Sequence, residues 1–114
     1  MHEASIAISL LETVANLCQK EGYTSIEGVR LKVGKAAGIL PDALHFAFDI
    51  AKKGTIASEA QLFIDYIPIG GLCRDCRTEF NSEERYIYCC PACKSTAIQI
   101  TRGNELQIIE MEVN

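Results

Sequence analysis

The chain has 114 residues, 48% of them apolar and 23% charged, with a formal charge of −4. That size fits one ordinary domain or a small domain carrying a smaller insertion, and the composition is globular, not disordered. The acidic excess repels phosphate backbones and argues against nucleic acid as the main partner.

Residues 4–21 read as an amphipathic helix. Ile6, Leu10, Val14, Leu17 and Cys18 recur at spacings of three or four, Ala7 and Leu11 widen the stripe, and Gly22 is placed to end it. Cys18 lies in that stripe and reads as core, not as a ligand. From 25 to 34 the period changes to two: Val29, Leu31 and Val33 alternate with Arg30 and Lys32, a half-buried strand with a solvated basic side. Lys35-Ala36-Ala37-Gly38 follows as a loop of small residues.

A second helix starts near Pro41, with Asp42 at the positive end of its dipole and Lys52 and Lys53 at the negative end. Leu44, Ala47, Phe48 and Ala51 form its buried stripe, and Gly54 stops it. His45 lies beside that stripe, away from any cluster of donors, and reads as a surface or core-edge residue. Residues 60–67 return to strand character, with Leu62, Ile64 and Tyr66 opposite Gln61, Phe63 and Asp65. Strand, helix, strand in this order predicts parallel strands joined by a right-handed crossover.

Pro68 and Gly70-Gly71 read as a break that opens a cysteine module. Beyond it, Ile98 and Ile100 are again strand-like before Gly103-Asn104. Leu106, Ile108, Ile109, Met111 and Val113, with Glu110 and Glu112 between them, form a last strand expected to rejoin the first sheet. The expected division is therefore an α/β domain from residues 1–68 plus 97–114, with a metal-binding module at 69–96. No segment has the apolar length of a membrane span, and Met1-His2-Glu3 lacks the positive start of a secretory signal, so a cytoplasmic protein without a membrane partner is expected.

Within the module, Cys73-Arg74-Asp75-Cys76 and Cys90-Pro91-Ala92-Cys93 repeat the two-residue gap of a four-cysteine zinc site. Such a gap lets both thiolates of a pair point inward from one tight turn, and two turns close a tetrahedron with Zn–S bonds of about 2.3 Å. A closed site offers no position to substrate, so the zinc would be structural. Cys89 is an alternative first ligand of the second pair, although Cys90 keeps the gap and a proline suited to a turn. A disulfide framework fits less well, because paired cysteines in a chain without a secretion signal suit a reducing compartment.

Zinc there explains stability, and other donors are scarce: the chain has two histidines, no nucleophile elbow and no phosphate-binding glycine loop. Met1-His2-Glu3 is the exception. A free terminal amine, the His2 backbone nitrogen and the His2 imidazole fall within one residue of each other, with the Glu3 backbone nitrogen or carboxylate in reach. Nickel(II) and copper(II) can drive deprotonation of backbone nitrogens, and a planar nitrogen set suits their tetragonal preference. The bulk of His2 should hinder removal of Met1, so the amine would be that of Met1. With an ordinary pKa of about 7.7–8.0, it would make binding release protons and weaken below neutrality.

The opening Met1-His2-Glu3-Ala4-Ser5, the two cysteine pairs and Gly103-Asn104-Glu105-Leu106 resemble the HypA/HybF family of nickel-insertion accessory proteins in [NiFe]-hydrogenase maturation. The resemblance covers essentially the whole chain in the same element order. It implies an α+β fold: two helices packed on a small three-stranded mixed sheet, with an inserted four-cysteine zinc-ribbon-like module. It implies nickel(II) as transient cargo at Met1, His2 and Glu3, and structural zinc(II) on Cys73, Cys76, Cys90 and Cys93. It also implies a HypB-type GTPase partner and delivery to the hydrogenase large subunit, with urease accessory proteins as further partners for some relatives. Cys89 is a departure that leaves the second pair open.

Two other classes compete with a nickel metallochaperone. A zinc-ribbon module for protein or nucleic-acid interaction would draw on Arg74, Arg77, Arg85 and Lys94, but Asp75, Glu79, Glu83 and Glu84 offset them, and only Phe80, Tyr86 and Tyr88 offer stacking. A metal-dependent hydrolase would need an open metal position and a general base, for which His45 is the sole stand-in.

Overall fold

In the computed structural model, which describes residues 3–84 and 86–114, the first helix (α1, Glu3–Glu21) ends because Gly22 adopts φ +83°. The Gly22 N–H donates to the Gln19 carbonyl and the Tyr23 N–H to the Cys18 carbonyl, at 3.3 and 2.9 Å, closing a Schellman cap. Ala7, Leu10, Leu11, Val14 and Cys18 are buried. Leu17, expected in the stripe, is 43% exposed. At 100° per residue it stands about 80° from the centre of the buried arc, past its edge.

The chain continues as β1 (Ile26–Gly34), a short 3₁₀ turn at Lys35–Ala37, α2 (Pro41–Ala51), β2 (Gln61–Ile67), β3 (Ile69–Cys73), β4 (Glu79–Ser82), β5 (Ile98–Arg102) and β6 (Leu106–Val113). Pro41 takes the first helical position of α2, as its fixed φ and missing N–H favour. The strands form two three-stranded sheets, ordered β2-β1-β6 and β4-β3-β5. Two compact units result: one from the chain up to Leu31 with Ile39–Asp65 and Gln107–Asn114, the other from Lys32–Gly38 with Tyr66–Leu106.

In the first unit α1 packs on α2, and Leu44 and Phe48 of α2 join the buried residues of α1 in one apolar core with Ile26, Val29, Leu31, Ala57, Ala60 and Leu62. The exposed sheet face shows how its strands run. Arg30 meets Asp65 and Gly28 faces Phe63, a constant offset that fits parallel β1 and β2. Arg30 also meets Glu110 while Gly28 faces Glu112, a reversed order that makes β6 antiparallel to β1. The sheet is mixed. Arg30 is thus held between two carboxylates and over the Phe63 ring, 5.0 Å from its centroid.

In the second unit β3 pairs antiparallel with both β4 and β5. Gly70 and Gly71, read from the sequence as a break, lie inside β3. Partner strands fill the space their missing side chains leave: a Cβ on Gly71 would sit 2.6 Å from both the Phe80 ring and the Gln99 carbonyl, and one on Gly70 would meet the Arg102 guanidinium. The glycines serve close packing.

Candidate metal centre

The cysteine pairs sit on two turns of the same construction. In the first, the Arg77 N–H donates to the Cys73 carbonyl at 3.0 Å and the Cys73 N–H to the Thr78 carbonyl at 3.0 Å. In the second, the Lys94 N–H donates to the Cys90 carbonyl at 2.9 Å and the Cys90 N–H to the Ser95 carbonyl at 2.8 Å. Each turn reverses at a residue in the left-handed region, Arg77 at φ +64° and Lys94 at φ +66°. Neither is glycine, so no residue marked the left-handed step itself, although Pro91 suits the start of the second turn.

This geometry turns the side chains of Cys73, Cys76, Cys90 and Cys93 to a common point, with all four sulfurs within 4.8 Å of one another. Cys73 and Cys93 are 3.6 Å apart, and Cys76 and Cys90 3.7 Å. A tetrahedron with metal–sulfur bonds of about 2.3 Å has edges of about 3.8 Å. Backbone N–H groups point at the sulfurs: Cys76 N–H at Cys73 Sγ (3.4 Å), and Ala92 and Cys93 N–H at Cys90 Sγ (3.3 and 3.5 Å). Such donors stabilise thiolate charge. Cys73 and Cys90 are buried and Cys76 and Cys93 exposed. Ser95 ties the turns together, its hydroxyl donating to the Asp75 carboxylate.

Proton affinity divides the exposed pair. Thr78 holds Cys76 down to about 6, through its hydroxyl 3.2 Å from the sulfur and its backbone N–H. The Ser95 backbone N–H draws Cys93 down too, but Cys73 beside it, desolvation and the other two sulfurs outweigh that and push it up to about 12. The crowding of sulfurs without a cation thus falls on Cys93, which holds its proton the more tightly.

Cys89, half-buried, lies outside the quartet, and so does His45, half-buried on α2. Cys18 is wholly buried in α1. Phe80 is buried, whereas Tyr86 and Tyr88 are exposed and stacked at 6.4 Å between ring centroids. Met1 and His2, the main donors of the expected nickel site, and Arg85 lie outside the described residues. Glu3 opens α1, and its carboxylate accepts a hydrogen bond from the Leu40 backbone N–H at 3.1 Å. That contact links residues far apart in the sequence, and no local pattern signalled it. Among the described helices none is long and apolar enough to cross a membrane.

Three comparisons with known proteins agree. A family model described as hydrogenase/urease nickel incorporation, metallochaperone, HypA, matches residues 1–113. The hydrogenase maturation factor HypA of Chlorobium luteolum is 45% identical over 108 residues, covering 95% of this chain and 92% of that protein. Its counterpart from Rhizobium leguminosarum bv. viciae is 40% identical over 113 residues, 99% of each. The solution structure of the Ni metallochaperone HypA from Helicobacter pylori superposes with a TM-score of 0.68 at 25% identity, covering 99% of this chain and 97% of that one.

Proposed function

The chain belongs to the HypA family of hydrogenase and urease nickel-incorporation metallochaperones, and from that premise we propose that it carries nickel(II) at its N-terminus and hands it on. The carrying observation is the family match from residue 1 to 113, which takes in Met1-His2-Glu3 and both cysteine pairs. Nickel is cargo. The Met1 amine, the His2 backbone nitrogen and the His2 imidazole bind it, with Glu3 completing the set. Release proceeds by ligand exchange with the acceptor.

The four cysteines hold zinc permanently. Soft thiolates at tetrahedral spacing suit a metal without geometric preference, whereas nickel(II) is drawn to the planar nitrogen set. The module carrying them is a scaffold, and the domain built from both chain ends carries the cargo. The role is non-catalytic and cytoplasmic. A HypB-type GTPase assists delivery to the large subunit of [NiFe]-hydrogenase.

The test is metal analysis and nickel titration of untagged protein, with absorption spectroscopy, beside His2→Ala and a variant with two residues added before Met1. One nickel in a planar, nitrogen-rich spectrum is expected, lost in both variants while zinc stays. Nickel seated on the sulfur quartet, or unchanged without the His2 imidazole, overturns the reading.

A further inference from the structure

Glu3 offers a nickel ion two different donors, a backbone nitrogen and a carboxylate. The surroundings separate them. Glu3 is the first residue of α1, and its backbone nitrogen follows directly in the chain on the nitrogens of Met1 and His2 that the nickel reading invokes.

The carboxylate is engaged elsewhere. Its Oε2 accepts from the Leu40 N–H at 3.1 Å. Leu40 is the N-cap of α2, and no side chain of its own helix caps that end. Its carbonyl already accepts from the Leu44 N–H at 3.0 Å, closing the first turn, and Pro41 has no N–H to offer. A carboxylate at this point also meets the positive end of the α2 dipole. Both effects favour the charged Glu3 side chain where it is and oppose moving it onto a metal. The negative charge in the first turn of α2 belongs to Asp42.

We propose that the Glu3 carboxylate is a positioning group, not a nickel ligand: it fastens the metal-binding chain end to the start of α2 while the Glu3 backbone nitrogen meets the ion. The proposal rests on the nickel reading above and decides what that reading left open about Glu3. Fastening the residue next to the donors restricts the conformations the terminus must give up on binding, which raises affinity without adding a metal–ligand bond.

Glu3→Ala removes the anchor, and Glu3→Gln restores an acceptor of the same length without the charge. Amide hydrogen exchange at Leu40 in nickel-free protein reads the anchor, and nickel titration with X-ray absorption spectroscopy reads the site. Exchange at Leu40 should speed up in Glu3→Ala and return towards the wild-type rate in Glu3→Gln. Nickel affinity should fall about tenfold in Glu3→Ala, the scale of one charge-assisted hydrogen bond, and recover most of that in Glu3→Gln, with the same ligand set in all three proteins. Unchanged Leu40 exchange in Glu3→Ala overturns the anchor. Equal loss of affinity in both variants, with an oxygen ligand missing from both spectra, makes the carboxylate a ligand and overturns the proposal. Nickel binding that survives His2→Ala instead brings down the nickel site, and with it the role given to the anchor. The Leu40 exchange tells that failure from a failure of the anchor itself.

Discussion

Thr78 and Ser95 occupy equivalent places after the two cysteine pairs, yet the thiols they serve differ by several pH units, Cys76 at about 6 and Cys93 at about 12. While the module keeps its fold, Cys76 thus gives up its proton far more readily than Cys93, and both are exposed. The linkage signs follow from the ordinary value of 9.0. Cys76, depressed, favours the folded form above pH 9 and loses that contribution as pH falls through about 6; Cys93, raised, favours it below pH 9 and loses it as pH rises through about 12. A metal must strip the Cys93 proton to close the site, so loading releases acid and weakens as pH falls. The quartet also predicts opposite fates for adjacent residues: Cys89→Ser should keep the bound metal, and Cys90→Ser should lose it, by metal analysis of purified protein.

At the scale of elements, two positions separate packing from surface charge. Phe48 is fully buried in α2, and Phe48→Ala should cost about 3–5 kcal/mol through lost burial and the cavity left behind. Arg30 makes two ion pairs on the open sheet face, but the side chains concerned are 35–62% exposed, so Arg30→Ala should cost no more than about 1 kcal/mol. Denaturant titration of the metal-loaded protein orders the two, and a larger loss for Arg30 would mean that the sheet face is organised by its charges. Within β3, Gly71→Ala should cost about 1–3 kcal/mol, because the new Cβ meets a backbone carbonyl that cannot swing aside.

The same elements show what sequence could carry. Period and end signals identified α1, α2, β1 and β2, since a helix stripe and a Gly22 or Gly54 stop are local properties. The strand at Ile69–Cys73 was not legible, because two glycines show only that side chains are missing. That Phe80 and Arg102 arrive from neighbouring strands to fill the gaps depends on the fold. For the metal centre, spacing named the four sulfurs that come together, while the left-handed turns at Arg77 and Lys94 had no residue signal. The contact between Glu3 and Leu40 depends on α1 and the start of α2 meeting, which no local pattern encodes.

For the molecule as a whole, the two units draw on different sources of stability. The unit with α1 and α2 buries Phe48, Leu44, Ile26, Val29, Leu31 and the α1 stripe, an apolar core that needs no ion. The unit with β3, β4 and β5 buries far less: Ile69 and Phe80 are its main apolar side chains beside Val33, and Cys73 and Cys90 complete its interior. Few buried side chains cannot offset the entropy of ordering so many residues, and small domains of this kind usually need a metal or a disulfide. No two of the cysteines are joined as a disulfide, and the four sulfurs gathered at one point offer a metal ion as the fastening. Metal binding of this type contributes about 10–16 kcal/mol at neutral pH, most of it realised as folding. Stripping the metal with a strong chelator should therefore abolish amide protection across β3, β4 and β5 while α1, α2 and the buried part of β1 stay protected. Hydrogen exchange read by mass spectrometry, segment by segment, checks this. Protection that survives in β3 after complete metal removal would place the stability of that sheet in its strands and not in the sulfur-bound ion.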